Sequence, residues 1–323
     1  MSVLLDVKNL KKYYPVSSGT LHAVDDVSFT IEKGETLGVV GESGCGKSTL
    51  GKTILRLVNP TSGQILYNGQ DIAGVSDHEF KKLRPDLQMI FQDPMSSLNP
   101  RMSVQQQIEE PLLIYKKIPD RKERHERVLQ LMDTVGLARR YAQMYPHELD
   151  GGRRQRIGIA RGLALEPKLI ICDEPVSALD VLIQAQILNL LQDLQKEKGL
   201  TYMFITHDLS VVKHISHNIA VMYLGQIVEK CETKALFAET MHPYTQALLS
   251  AIPVPSLKNR RERILLKGEL ASPIDPENHC RFAPRCIYAN DKCRTSPAPA
   301  LEDVGGGHFV ACHRCRELNG KGE

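Results

Sequence analysis

The chain has 323 residues, 42% hydrophobic and 24% charged, which is ordinary globular material with room for one large domain and an appendage or for two domains. Its 41 Lys and Arg against 38 Asp and Glu leave a formal charge of +3, so no global field steers it to nucleic acid or to an anionic membrane surface. No run approaches the roughly 18 apolar residues of a spanning helix, and the start lacks a signal-peptide core; the expectation is a chain that stays in the cytoplasm.

From Val3 to Ile31 a β-branched, alternating pattern broken at Pro15-Val16-Ser17-Ser18-Gly19 predicts antiparallel strands. Thr36–Val40 is a short apolar run ending in Gly41, and from Lys47 the apolar positions Leu50, Ile54, Leu55, Leu57 and Val58 recur at helical spacing. That order is strand, glycine loop, helix. Val104 to Leu165 carries only helical periodicity and reads as a helical insertion. Strand signals return at Leu169–Cys172, Met203–Thr206 and Asn218–Tyr223, separated by helical runs over Val181–Lys198 and Leu209–Ser216, an alternation that predicts a parallel sheet with helices on both faces. After Ala251 the texture turns loop-like, so a domain boundary is expected near residue 250.

Gly41-Glu42-Ser43-Gly44-Cys45-Gly46-Lys47-Ser48-Thr49 fits the pattern G-x-x-x-x-G-K-[ST] in the strand-then-helix context that such a match requires. Glycines let the backbone wrap so that its N–H groups face phosphate oxygens, and the helix N-terminus adds a favourable field. Lys47 is expected to reach the β- and γ-phosphates of ATP and Ser48 to ligate Mg²⁺. Leu169-Ile170-Ile171-Cys172-Asp173-Glu174-Pro175 ends a buried strand in two adjacent carboxylates. An Asp at a strand's C-terminal end can hold Mg²⁺ through water, and the following Glu can orient or deprotonate the attacking water.

With these two motifs in place, residues 1–250 resemble an ABC-family nucleotide-binding subunit. Gln92 in Met89-Ile90-Phe91-Gln92-Asp93-Pro94 matches the family's Q-loop, which senses the γ-phosphate and the metal and touches the membrane subunit. Leu149-Asp150-Gly151-Gly152-Arg153-Arg154-Gln155-Arg156 stands at the signature motif, Ser177-Ala178-Leu179-Asp180 at the D-loop, and His207 in Ile205-Thr206-His207-Asp208 at the switch histidine. Tyr14, or else Tyr13, matches the aromatic that stacks on adenine. Gln92 through Pro100, Pro175 through Val181, and His242-Pro243-Tyr244-Thr245-Gln246-Ala247-Leu248 are similar to the ATPase subunits of oligopeptide, dipeptide and nickel importers, and this resemblance covers essentially the whole chain.

The resemblance implies an α/β fold: a P-loop NTPase, ABC-type nucleotide-binding domain over residues 1–250, with an antiparallel β subdomain, a helical subdomain at about 93–165, and a small cysteine-rich C-terminal extension over 251–323. It implies hydrolysis of Mg-ATP with Lys47, Gln92, Glu174 and His207 in the chemistry, Ser48, Gln92 and Asp173 as Mg²⁺ ligands, and Gly41 to Thr49 with Asp150, Gly151 and Gly152 as nucleotide contacts. It implies partners too: a second ATPase subunit, two transmembrane permeases and an extracytoplasmic substrate-binding protein, with this chain peripheral at the cytoplasmic face. The rival class is a non-transport ABC ATPase acting on nucleic acid or the ribosome. Its support would be Arg153, Arg154, Arg156 and Arg161, but these lie on the signature helix without interleaved aromatics or a large basic excess, so no nucleic-acid partner is expected. A regulatory module without turnover would have lost Glu174.

Cys280, Cys286, Cys293, Cys312 and Cys315 crowd the last 44 residues, whereas Cys45, Cys172 and Cys231 are scattered. In a reducing compartment that clustering reads as metal before disulfide. The spacings fit neither a zinc finger nor the tight ferredoxin run, and four thiolates can hold Zn²⁺ or an iron–sulfur cluster; the family resemblance implies a [4Fe–4S] cluster on Cys280, Cys286, Cys293 and Cys312, with Cys315 as the spare. Finally, Asp150 stands where the family has a serine and Arg153 where a glutamine is usual. A carboxylate ~4 Å from a phosphate would cost on the order of 4 kcal/mol at an effective dielectric of 20. Either a raised carboxyl pKa or a weakened partner site relieves this; the expectation is the weakened site, in an asymmetric heterodimer where this chain supplies Lys47, Asp173 and Glu174 to the competent one.

Overall fold

The computed structural model describes residues 2–252, 263–266, 268 and 271–320; part of the loop-textured stretch expected after Ala251 lies outside them. In chain order, β1 (Val3–Val16) and β2 (Gly19–Glu32) are followed by β3 (Thr36–Val40), α1 (Lys47–Ile54), β4 (Ser62–Tyr67) and β5 (Gln70–Asp71). Next come α2 (Asp77–Leu83), β6 (Leu87–Ile90), α3 (Pro94–Ser97), α4 (Val104–Ile114), α5 (Arg121–Thr134) and α6 (Gly151–Leu163). The chain continues through β7 (Leu169–Asp173), α7 (Val181–Lys198), β8 (Thr201–Thr206), α8 (Leu209–Ile215), β9 (Asn218–Tyr223) and β10 (Gln226–Glu232). Its last elements are α9 (Thr233–Ala238), α10 (Pro243–Ser250), α11 (Asp291–Thr295), β11 (Glu302–Asp303), β12 (Phe309–Val310) and α12 (Cys315–Leu318).

Two compact units emerge. The first takes in Glu32–Glu35 and Gly74–Phe204. Here β6 runs parallel to β7, with Leu87 opposite Leu169 and Ile90 opposite Cys172. Every residue of β7 is buried, as an unbroken apolar run in a strand covered on both faces should be. The helices start where their caps say. Ser103 accepts on its hydroxyl from the Gln106 backbone amide while the Gln106 side-chain oxygen accepts from the Ser103 amide, Asp120 caps α5, and Asp180 caps α7, which stops at left-handed Gly199. Leu112, Val128, Met132 and Ile159 are fully buried between these elements, each contributing about 1.5–3 kcal/mol.

The second unit takes in Ser2–Ile31, Thr36–Ala73 and the described residues from Ile205 onward. It holds a sheet of order β2-β1-β4-β5, with β1 antiparallel to β4 and β4 to β5. Separately, β3 pairs in parallel with β9, Val40 opposite Val221. Beyond β9 the direction reverses. β10 is antiparallel to β9 with a bulge between Ile227 and Glu229, and β12 and β11 continue antiparallel. The parallel pairing expected from the alternation is present in β3–β9 and in β6–β7; the antiparallel strands beyond β9 were not expected, and they arise because the turn after Tyr223 at left-handed Leu224 and Gly225 makes a hairpin rather than a helical crossover.

The cysteine-bearing tail does not stand as an extension by itself. Phe282 sits in one apolar cluster with Val40, Val221, Tyr223 and Tyr244, with Cys280 and Cys286 packed on it, and residue 274 bridges back to Leu21. With few large apolar residues of its own, the tail is ordered by borrowing the core of the second unit.

Candidate active site: a phosphate loop and a pair of carboxylates

The phosphate loop lies between β3 and α1 in the second unit. Gly46 has φ +106, and a Cβ there would meet the Ala23 carbonyl oxygen at 2.0 Å, so both conformation and space require glycine. A Cβ on Gly41 would meet the Met222 carbonyl oxygen at 2.2 Å. Lys47 is 4% exposed and its ammonium donates to the Gly41 carbonyl at 2.8 Å and the Glu42 carbonyl at 2.9 Å. The cation is thus lodged among the loop's own carbonyls. Ser43 and Gly44 are exposed at the tip, whereas Cys45 is buried and Ser48 and Thr49 are half-buried in the first turn of α1. Burial pushes the Cys45 thiol above its ordinary range, with Lys47 opposing, so this cysteine packs as a neutral thiol.

The loop is held from outside as well. The Glu42 amide donates to the Tyr244 hydroxyl at 2.9 Å, and the Arg285 guanidinium grips the Glu42 carboxylate at 2.6 and 3.0 Å. Tyr13 and Tyr14, the alternatives for the adenine contact, are separated by their surroundings. Tyr13 stacks on His22 with ring centroids 3.9 Å apart and donates its hydroxyl to Asp25, which Arg281 also engages. Tyr14 carries the Lys12 ammonium 4.6 Å from its ring centre. Tyr13 thus has both its ring face and its hydroxyl engaged within the fold. His207 follows β8 and is exposed.

In the first unit, Asp173 ends β7 at 3% exposure and Glu174 follows at 7%. Glu174 has φ +45, the left-handed region that β-carbon residues rarely take; such strain is held only where surroundings over-determine it. Part of that restraint is Gln92, whose amide nitrogen donates to the Glu174 carboxylate at 3.1 Å. Gln92 thereby keeps its amide oxygen as an acceptor or ligand.

Asp150 caps α6. One oxygen accepts from the Arg153 amide at 2.8 Å and the other from the Arg153 guanidinium at 2.5 Å, which also lies 4.9 Å over the Tyr141 ring. Gly151 and Gly152 form the first turn behind it, Gly152 buried. A counter-charge for Asp150 lies one turn away, on the other residue that departs from the family pattern.

Among the described residues no group of three or more His, Cys, Asp or Glu side chains is disposed to hold a metal ion, so the arrangement does not support the expected [4Fe–4S] cluster or the zinc alternative. The Cys293 thiol turns to the Asn290 side-chain oxygen at 3.3 Å, and Cys315 lies 3.9 Å from the Met241 sulfur. Burial pushes Cys280 up to about 11 and Cys312 up to about 12, which keeps them neutral as they stand.

Sequence reasoning missed Arg285, Tyr244 and Arg281 as parts of this site. For the tail arginines no spacing signal existed, since Arg285 and Glu42 are 243 positions apart.

Comparison with known proteins agrees with this geometry. Residues 24–177 match the ABC transporter family and residues 228–293 the oligopeptide/dipeptide transporter C-terminal region. The chain is 52% identical over 320 residues to the oligopeptide transport ATP-binding protein AppF of Bacillus subtilis (strain 168), covering 96% of this chain and 97% of that one. It is 51% identical to the dipeptide transport ATP-binding protein DppF of Haemophilus influenzae (strain ATCC 51907 / DSM 11121 / KW20 / Rd), covering 96% of each. Among solved structures, a dimeric post-hydrolysis state of the ATP-binding cassette MJ0796 bound to ADP and Pi matches with TM-score 0.66 and 31% identity, over 71% of this chain and 99% of that one. A phosphate loop closed on a buried lysine, a strained glutamate held by a glutamine, and near-full-length likeness to such relatives lead to one conclusion: the chain belongs to the oligopeptide/dipeptide family of ABC transporter ATP-binding subunits and is an ATPase.

Proposed function

We propose that this chain energises an importer of di- or oligopeptides, or of a related solute, by hydrolysing ATP at the cytoplasmic face of a membrane. The observation that carries the chemistry is Glu174, buried, held in a left-handed conformation and hydrogen-bonded by Gln92; the relatives' names carry the solute class. In this reading the backbone from Gly41 to Thr49 takes the phosphates, Lys47 neutralises the β- and γ-phosphates, and Tyr14 takes adenine. Ser48, Gln92 and Asp173 offer hydroxyl, amide and carboxylate oxygens, the hard donors that Mg²⁺ takes; the ion, when bound, neutralises phosphate charge. Glu174 orients the attacking water and accepts its proton, with His207 at the γ-phosphate side.

No helix among the described residues is long and apolar enough to cross a membrane; in this reading two permeases, a binding protein and a second ATPase complete the working unit. We propose a heterodimer, with Asp150, Gly151 and Gly152 facing the partner's nucleotide. The domain division at residue 250, the helical subdomain at about 93–165 and the residue roles above are parts of this proposal. So is the cluster on Cys280, Cys286, Cys293 and Cys312, which rests on the family resemblance and on the four thiols alone and requires them to regroup, since no such group is disposed for a metal ion among the described residues. The test of the whole reading is Glu174→Gln in the assembled transporter: ATP still binds, turnover stops, and uptake of peptides stops with it. A variant that kept wild-type hydrolysis would remove Glu174 from the role.

A further inference from the structure

The phosphate loop contains one carboxylate, Glu42, and a loop that must receive a polyanion gains nothing from an unpaired negative charge. The structure gives that carboxylate a dedicated partner from the far end of the chain. Arg285, 8% exposed, donates to both Glu42 oxygens at 2.6 and 3.0 Å, the bidentate fork that makes arginine–carboxylate pairs strong and directional. The fork is itself fixed. Its guanidinium lies 6.0 Å from the Tyr223 ring centre, and Tyr223 packs edge-on against Phe282 at 5.2 Å and Tyr244 at 4.7 Å. Tyr244 in turn accepts from the Glu42 amide.

The chain of contacts ends on the functional cation. The Glu42 carbonyl accepts from the Lys47 ammonium at 2.9 Å, so Glu42 is held by its carboxylate and amide on the outside and by its carbonyl on the inside. A second tether runs beside the first. Arg281 donates to the Leu224 carbonyl at 2.6 Å and engages Asp25, and the following Gly225 amide donates to the Cys45 carbonyl of the loop at 2.8 Å. Arg281 and Arg285 are presented together because the chain turns tightly between them, the Arg285 and Cys286 amides both donating to the Phe282 carbonyl at 3.0 Å.

We propose that Arg285 is a positioning residue for the nucleotide: it neutralises Glu42 and sets the phosphate loop for the triphosphate, making the C-terminal tail a working part of the ATP site. This rests on the reading of residues 41–49 as the ATP-binding loop. Removing the guanidinium alone leaves a partly buried carboxylate without its counter-charge, beside incoming phosphates. Removing both charges does not.

The experiment measures ATP affinity of the full chain for wild type, Arg285→Gln, Glu42→Gln and the double variant, with circular dichroism and thermal melting alongside. R285Q is expected to weaken ATP binding about tenfold, and E42Q/R285Q to recover most of that loss, binding ATP within about threefold of E42Q alone. That rescue is the signature of charge on the loop; a purely structural role of Arg285 would leave the double variant as weak as the single. Wild-type affinity in R285Q, or a double variant as weak as R285Q, overturns the proposal. Where R285Q does not fold, Arg285→Lys replaces it, with a smaller loss that E42Q reverses; a loss that E42Q leaves in place overturns the proposal in the same way. Lys47→Ala is the control for the underlying reading, since ATP binding that survives it would overturn the assignment of the loop itself.

Discussion

Asp150 and Arg153 satisfy each other across the first turn of α6: the carboxylate takes the Arg153 amide on one oxygen and the Arg153 guanidinium on the other. Each residue taken alone departs from the family's signature pattern; taken together they are neutral. Asp150→Ser keeps a good N-cap, so stability should change by less than about 1 kcal/mol, and turnover of the assembled transporter is expected to stay equal or rise. A sharp loss in Asp150→Ser would show that the carboxylate contributes to a productive site and would end the asymmetric-pair reading.

Lys47→Ala should nearly abolish ATP binding and hydrolysis, because the buried ammonium has no replacement in the loop. Glu174→Gln keeps size, so ATP binding is retained while kcat falls by at least about a hundredfold, the usual contribution of a general base. Single-turnover measurement with labelled ATP separates the two.

These two predictions were already available from the residues alone, because a phosphate loop between strand and helix and a strand ending in Asp-Glu are local patterns whose geometry is contained in some ten residues. Elements of the alternating region were legible for the same reason, Asn218–Tyr223 and Val181–Lys198 among them. The hairpin of β9 and β10 was not, because Gln226–Glu232 mixes charged and apolar residues and its partner choice depends on a turn at Leu224 whose positive φ has no β-carbon signature. The Asp150–Arg153 pair was visible as two oddities, and their spacing of three on a helix, which brings side chains together, was the signal that joins them. The tail's contacts with Asp25 and Glu42 are set by packing of Phe282 into a distant core, and no local pattern encodes them.

His242 offers a pH test. It is 2% exposed, its ring nitrogen caps α10 by accepting from the Tyr244 amide at 3.1 Å, and burial pushes its pKa from 6.5 down to about 4 against the opposing pull of Glu229. Between those values the unfolded chain binds the proton and the folded chain does not. Stability from neutral His242 is therefore fully present above about pH 6.5 and falls toward pH 4, at up to about 1.4 kcal/mol per pH unit. His242→Asn keeps an acceptor for the cap and loses the titration, so urea melts between pH 7 and 4.5 should be flatter for the variant. Parallel pH profiles would remove His242 from the account.

The tail proposal is tested by metal analysis: after anaerobic purification, the full chain should carry about four iron atoms, the content of a [4Fe–4S] cluster. Stoichiometric zinc without iron would reverse the choice of metal, and neither metal would leave the cysteines as packed thiols.

The bond from Arg285 to Glu42 also sets a timetable for making the protein. A ribosome adding ~5–20 residues per second completes the phosphate loop early, then takes roughly ten to fifty seconds more to deliver the arginine that finishes it. A nascent chain that has released residues 1–250 holds Glu42, Asp25 and the Tyr223–Tyr244 face without their tail partners. On this proposal full affinity for ATP is deferred to the end of synthesis, and a messenger cut short before codon 285 yields a motor that grips ATP about tenfold more loosely.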